Sequence, residues 1–210
     1  MLVPTIIPAI ISAISKVAVA VGPMIARYTP IAMKVIGENL PKVIKMVEGI
    51  GTATDLLKPS EKIDEFGAKA ISANKTPEDF EHMNDYIDYL RNNVKVDESQ
   101  LSHNPIDVSV RQLVGIAIVL KGLNKELGTE ISLPLLNKVS ELGVDSKVVL
   151  EIIKAYSSSE LNPDEIEAYI DGGLTLDETK QHSDNLLIAY QTTYPSMTAQ
   201  EAEQAVMKDF

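Results

Sequence analysis

The chain has 210 residues, is 45% apolar but only 5% aromatic, contains neither Trp nor Cys, and carries a formal net charge of −11. The lack of cysteine excludes disulfides, thiolate catalysis and Cys-based zinc sites, and the acidic balance argues against nucleic acid as a partner, because binding the phosphate backbone needs clustered Lys and Arg. The length suffices for one good core or two small domains, and with so few rings that core must be aliphatic.

Residues 1–57 are apolar and cut by prolines. Between Met1 and Ala26 the one charged residue is Lys16, while Pro4, Pro8, Pro23, Pro30 and Pro41 punctuate the stretch. Proline lacks an N–H and clashes with the preceding helical turn, so it sits best in a first turn. The spacing predicts short helices from Pro8 to Val21, from Thr29-Pro30 to about Asn39, and from Pro41 toward Leu57. The third carries Val43, Met46, Val47, Ile50 and Leu57 on one face and Lys42, Lys45 and Glu48 on the other, which is amphipathic spacing.

Charge divides along the chain. Residues 1–58 hold six Lys or Arg and three acids, net +3, and the remainder holds thirteen basic and twenty-seven acidic residues, net −14. Three readings fit an apolar, slightly basic segment on an acidic body. A membrane span needs roughly 20 apolar residues, and Lys16 and three prolines interrupt this one. A segment that lies in a membrane surface or inserts on cue suits apolar faces edged by Lys. Helices that bury their stripes in their own core or in a partner subunit are the plainest reading. No basic region precedes the apolar run, which argues against a secretory signal, and Leu2 excludes myristoylation.

Further along, the glycines and threonines of 49–54 and the Lys58-Pro59-Ser60 step predict a hinge or domain boundary within 51–60. Ser60 is expected to cap a helix running to about Ala73. Thr76-Pro77, Asn104-Pro105 and Asn162-Pro163 each give a capping residue, a proline and an acid at the third helical position. Thr175 with Glu178 and Thr198 with Glu201 read as capping boxes. The run from Leu113 to Leu120 has no polar side chain on any face. It reads as a helix buried all round, closed by Gly128, although a β-branched run of this kind also suits a buried strand. Short helices are expected at 132–142, 146–157, 163–171, 176–191 and 198–209.

The predicted fold is all-α: short proline-initiated hydrophobic N-terminal helices (1–57), then a compact acidic multi-helix domain (58–210) with a sub-boundary near 96–104. No catalytic, cofactor or metal residues are expected. His82, His103 and His182 do not pair at helical spacing and read as surface or cap residues. Asp171 to Glu178 fails as a calcium loop, because its acids do not alternate and position 12 is His182. Tyr86, Tyr89, Tyr156, Tyr169, Tyr190 and Tyr194 read as core-edge positions.

The expected function is that of a non-enzymatic structural or interaction protein. Such a chain would be a helical component of a larger assembly, a virion or a secretion-type particle. Its contact face would comprise Ile10, Ile11, Ile14, Val17, Val21, Ile31, Val35, Val43, Met46, Val47 and Ile50. The partners expected are further copies or other subunits, and the place cytoplasmic or particle-associated. One alternative is a membrane-active protein whose N-terminal segment enters a bilayer; in composition alone that segment resembles membrane-penetrating proteins carried inside virions. A second alternative is a small-ligand carrier or enzyme with an apolar helical pocket, which a buried, polar-lined cavity between the 105–126 helix and its neighbours would favour.

Overall fold

The computed structural model describes residues 9–10, 12–15, 17–23 and 37–210. Every regular element among the described residues is helical and none is a strand, so the all-α expectation holds. The predicted helix over 30–39 falls largely outside the described residues. Two compact units divide between Glu126 and Leu127.

In the first unit, positions 9–10, 12–15 and 17–23 are helical and together form α1. The next helix, α2 (Leu40–Ala53), has Pro41 in its first turn and buries Val43, Met46, Val47 and Ile50, the face its spacing predicts. It stops short of Leu57. Thr54 Oγ1 donates to the Ile50 carbonyl at 3.2 Å, and Asp55 turns left-handed with φ 60°. Leu56 and Leu57 then fold back into the core, with the Leu57 N–H on the Gly51 carbonyl at 2.9 Å. The expected boundary at 51–60 therefore lies inside a compact unit, as does the one near 96–104.

Ser60 does not cap the following helix, α3 (Ile63–Ser72), whose N-cap position is Lys62 with no side-chain cap bond. The Ile63 N–H instead donates to Glu48 Oε1 of α2 at 3.1 Å, so a long-range carboxylate satisfies the helix start. Thr76, Pro77 and Asp79, expected to open a helix, instead form a capping box on a 3-10 turn (Pro77–Asp79); helix α4 (Met83–Asn93) begins later.

The longest element is α5 (Pro105–Leu127), 23 residues or about 34 Å. Asn104 Oδ1 accepts the Ile106 N–H at 2.9 Å. Every residue from 113 to 120 is buried, so the β-branched run is the all-round buried helix and not a strand. Helix α3 crosses it closely. A Cβ on Gly67 would stand 1.8 Å from the Arg111 carbonyl oxygen, and one on Gly115 would stand 2.0 Å from the Ile63 carbonyl oxygen. The two helices thus meet backbone to backbone at two reciprocal glycine seats. Arg111 Nε donates to Asp64 at 2.9 Å beside the crossing. Toward the C-terminal half of α5, Gly122 gives room to Leu56 and Ile87.

The second unit holds α6 (Leu133–Leu142), α7 (Ser146–Ser158), α8 (Ile166–Ile170), α9 (Leu176–Thr193) and α10 (Ala199–Asp209). Their starts are capped as the sequence implies. Ser132 accepts from the Leu135 N–H, Asp145 from the Lys147 N–H, and Thr175 and Thr198 head true capping boxes. Asn162-Pro163 is the exception and opens a 3-10 turn (Pro163–Glu165) before α8. Helix α9 packs on both α7 and α10. Tyr190 Oη donates to Asp209 at 2.6 Å and fastens the last helix to it.

Because no side chain fits either glycine seat without moving a backbone, Gly67→Ala and Gly115→Ala should each lower stability by about 3 kcal/mol, the upper end for overpacking. Gly173→Ala, where the nearest atom lies at 3.5 Å, should cost far less. Urea unfolding of the three variants measures the difference.

Candidate functional site

The residues expected to form a contact face divide into three groups. Ile10, Ile14, Val21, Val43, Met46, Val47 and Ile50 are buried. Val17 is half-buried, and Ile11, Ile31 and Val35 lie outside the described residues. The expected docking face is thus corrected for the seven buried side chains: their stripe is already covered, and as folded they reach no partner. On its other side α1 exposes Ser12, Ser15 and Val19, the last 90% exposed.

Clefts open between helices among the described residues. In the first unit one of about 220 Å³ lies where Ala13 and Val17 of α1 face Ala68 and Ile71 of α3 and Val110 and Arg111 of α5. Arg111 is buried there, with Nε on Asp64 and Nη1 on the Ser102 carbonyl at 3.0 Å. A second cleft, about 330 Å³, has Asp55, Asp88, Glu126 and Arg91 in its walls. Burial, and next the charge of Asp55, push the Glu126 carboxyl above its usual value. In the second unit a cleft of about 340 Å³ runs between α7 and α9 past Ser158, Ser159, Asn185 and Ile188. Its deepest polar group, Asn185, accepts from Ser159 Oγ at 2.7 Å and donates to the Gln181 carbonyl at 2.9 Å.

The buried polar groups were the part least visible in the sequence. His182 is wholly buried, against the expectation of a surface or cap place; His82 and His103 are exposed, His82 as the N-cap of α4. His182 Nδ1 lies 2.8 Å from Tyr156 Oη, and the Tyr169 ring stacks on the imidazole at 5.9 Å. Burial, then Tyr169 and Glu165, push the Tyr156 hydroxyl up, so it keeps its proton and shares a hydrogen bond with Nδ1. The other ring nitrogen, Nε2, lies 3.4 Å from Glu165 Oε2, too long for a good hydrogen bond. Tyr156 and His182 have no exposed atom for a substrate to reach, so this chain of groups joins α7, α8 and α9 and is not an open acid–base pair.

The ion pairs likewise hold helices. Arg91 binds Glu61 through Nε at 2.7 Å and Nη2 at 3.0 Å, reaches Asp88, and donates to the Leu56 carbonyl at 2.8 Å. Burial alone would raise the Glu61 carboxyl; the hydrogen bond and charge of Arg91, with the Lys58 N–H, outweigh it and hold the group below its usual value. Among the described residues no group of three or more His, Asp or Glu is placed to hold a metal ion, and no helix is long and apolar enough to cross a membrane. No protein-family model, curated protein or solved structure matches the chain.

Two outcomes follow from these ties. Tyr156→Phe strands His182 Nδ1 in the core and should cost about 1–3 kcal/mol, while Tyr156→Phe with His182→Phe recovers part of the loss; a double-mutant cycle by urea unfolding reads it. Because the folded pKa of Glu61 lies below the unfolded one, its contribution is full above the ordinary value of 4.5 and is lost as pH falls through the depressed value. The stability gap between the wild type and Glu61→Gln should therefore shrink on acidification.

Proposed function

We propose that this chain is a non-enzymatic helical component of a larger assembly, of the virion or secretion-particle kind, joined to further copies or other subunits through the outer side of its N-terminal segment. The observation that carries the reading is Val19. The inner side of α1 is already covered at Ile10, Ile14 and Val21, yet Val19 stands 90% exposed on the other side. A single exposed valine is ordinary. This one lies in a stretch with no charged residue between Lys16 and Arg27, and the sequence beyond it carries Ile31, Met33, Val35 and Ile36. An exposed apolar side chain in so apolar a stretch of sequence favours a cover.

The clefts favour an interaction protein over a catalyst. The polar groups deepest in them, Arg111 and Asn185, hold neighbouring helices together. A bilayer-inserting role would use the same segment but would first have to lift Ile10, Ile14 and Val21 out of the core.

Sedimentation velocity of the full chain over a wide concentration range tests the proposal. Growing oligomers are expected, and Val19→Asp should return the chain to monomers with its thermal midpoint unchanged, because the side chain touches no core. A wild type that stays monomeric throughout would overturn the assembly reading. Leakage of zwitterionic vesicles without oligomers would replace it with the bilayer one.

A further inference from the structure

We infer that His182 is a pH sensor in the second unit: on acidification its imidazole becomes cationic and draws Glu165 in, latching α8 onto α9. The inference does not depend on the assembly reading. Imidazole is the side chain whose charge ordinarily changes across the physiological pH range. His182 is wholly buried in the second unit, whereas His82 and His103 are exposed and belong to the first. Its Nδ1 shares a 2.8 Å hydrogen bond with Tyr156 Oη of α7. Its Nε2 has no hydrogen-bond partner, and Glu165 Oε2, in the turn before α8, stops 3.4 Å away. A buried ring nitrogen facing a carboxylate at that distance is a bond left open.

The described titratable groups that face the ring are phenols and carboxylates. Tyr156 meets it from α7, and Tyr169 of α8 stacks on it at 5.9 Å. Glu165 meets Nε2. On α9 itself Glu178, one turn ahead, is held below its usual value chiefly by its bonds to Thr175, with a smaller pull from His182. Lys180 and Asp184, on the same helix, are exposed. Helix α6 packs on α8 and on the turn before it, and its buried side chains are aliphatic apart from Ser140.

A proton added to the neutral ring makes both nitrogens donors. Tyr156 Oη can give or accept, so its bond to Nδ1 survives the change. Nε2–H then points a positive charge at Glu165, and a charge-assisted hydrogen bond is shorter and stronger than a neutral one. Glu165 is half-exposed and can swing in without displacing the core. Its carboxylate, with that of Glu178, offsets the cost of charging a buried ring. The helix so latched is weakly seated: of the five residues of α8 only Ile166 is buried, and its one other tie is Tyr169 Oη to Ser183 Oγ at 3.0 Å. The added tie is present on the acid side and is lost as pH rises through the imidazole range. It also ends where Glu165 itself takes a proton.

The test follows the full chain by imidazole ¹⁵N NMR from about pH 8 to about pH 5, the interval in which histidine charges, with amide exchange at both ends. The His182 signals are identified by elimination in His82→Gln and His103→Gln, both exposed changes. They should titrate while the chain stays folded. Over the same interval the α8 amides should gain at least about threefold in protection, corrected for the intrinsic rate, which is the scale of a half-exposed ion pair. Glu165→Gln should move the His182 midpoint to lower pH and abolish that gain. A His182 that stays neutral throughout, or that charges only as the second unit unfolds, overturns the inference. So does a Glu165→Gln chain whose midpoint and acid protection match the wild type.

Discussion

Two glycines set the first unit. Where Gly67 of α3 meets the Arg111 carbonyl and Gly115 of α5 meets the Ile63 carbonyl, no side chain separates the helices. So close a crossing brings each carbonyl within reach of the other helix's Cα hydrogens, a weak but repeated attraction, and it leaves no slack in register. The consequences spread outward. Register places Asp64 opposite Arg111, so a buried guanidinium has its carboxylate. It aims Arg111 at the Ser102 carbonyl and so fixes the loop ahead of α5. It also sets the start of α3 against α2, where Glu48 takes the Ile63 N–H. A one-residue slip would leave the buried Arg111 guanidinium without its carboxylate, a cost of several kcal/mol.

The sequence discloses helix starts better than helix lengths. Thr175 and Thr198 head helices as their capping boxes imply. Thr76 and Asn162 carry the same chemistry yet open 3-10 turns, the first ending in an extended Phe80. A cap fixes only the first turn; whether the turn continues depends on what the next residues bury, and tertiary packing supplies most helical stability. After Thr76, Phe80 turns to stack near Tyr86 and Tyr89 instead of continuing the helix. The run from Leu113 to Leu120 was legible for the opposite reason: with no polar face, only burial on all sides suits it.

The polar ties were not legible, because each joins residues that the sequence holds far apart. Arg111 answers Asp64, Arg91 answers Glu61, and Tyr156 answers His182. Nothing local marks His182 as buried, since its helix is the least amphipathic of the long ones and its neighbours Gln181 and Lys180 are exposed. The N-terminal stripe failed differently. Its spacing states correctly that Ile10, Ile14 and Val21 need covering. Spacing has no term for what covers them, and the core of the same chain meets the requirement as well as a partner does.

Helix α1 therefore has two faces with different fates, and they are coupled. A helix this short is marginal alone in water, so it persists because α3 and α5 hold its inner face. That hold is incomplete: Ala13 is too small to fill the space over Ala68, and the cleft results. Whatever strengthens or weakens the inner contact changes how firmly Val19 is presented outside. Cavities of this kind forfeit contact energy along their whole lining. The underpacked seam is thus the point at which the folded state of this unit can be adjusted without disturbing the glycine crossing beneath it.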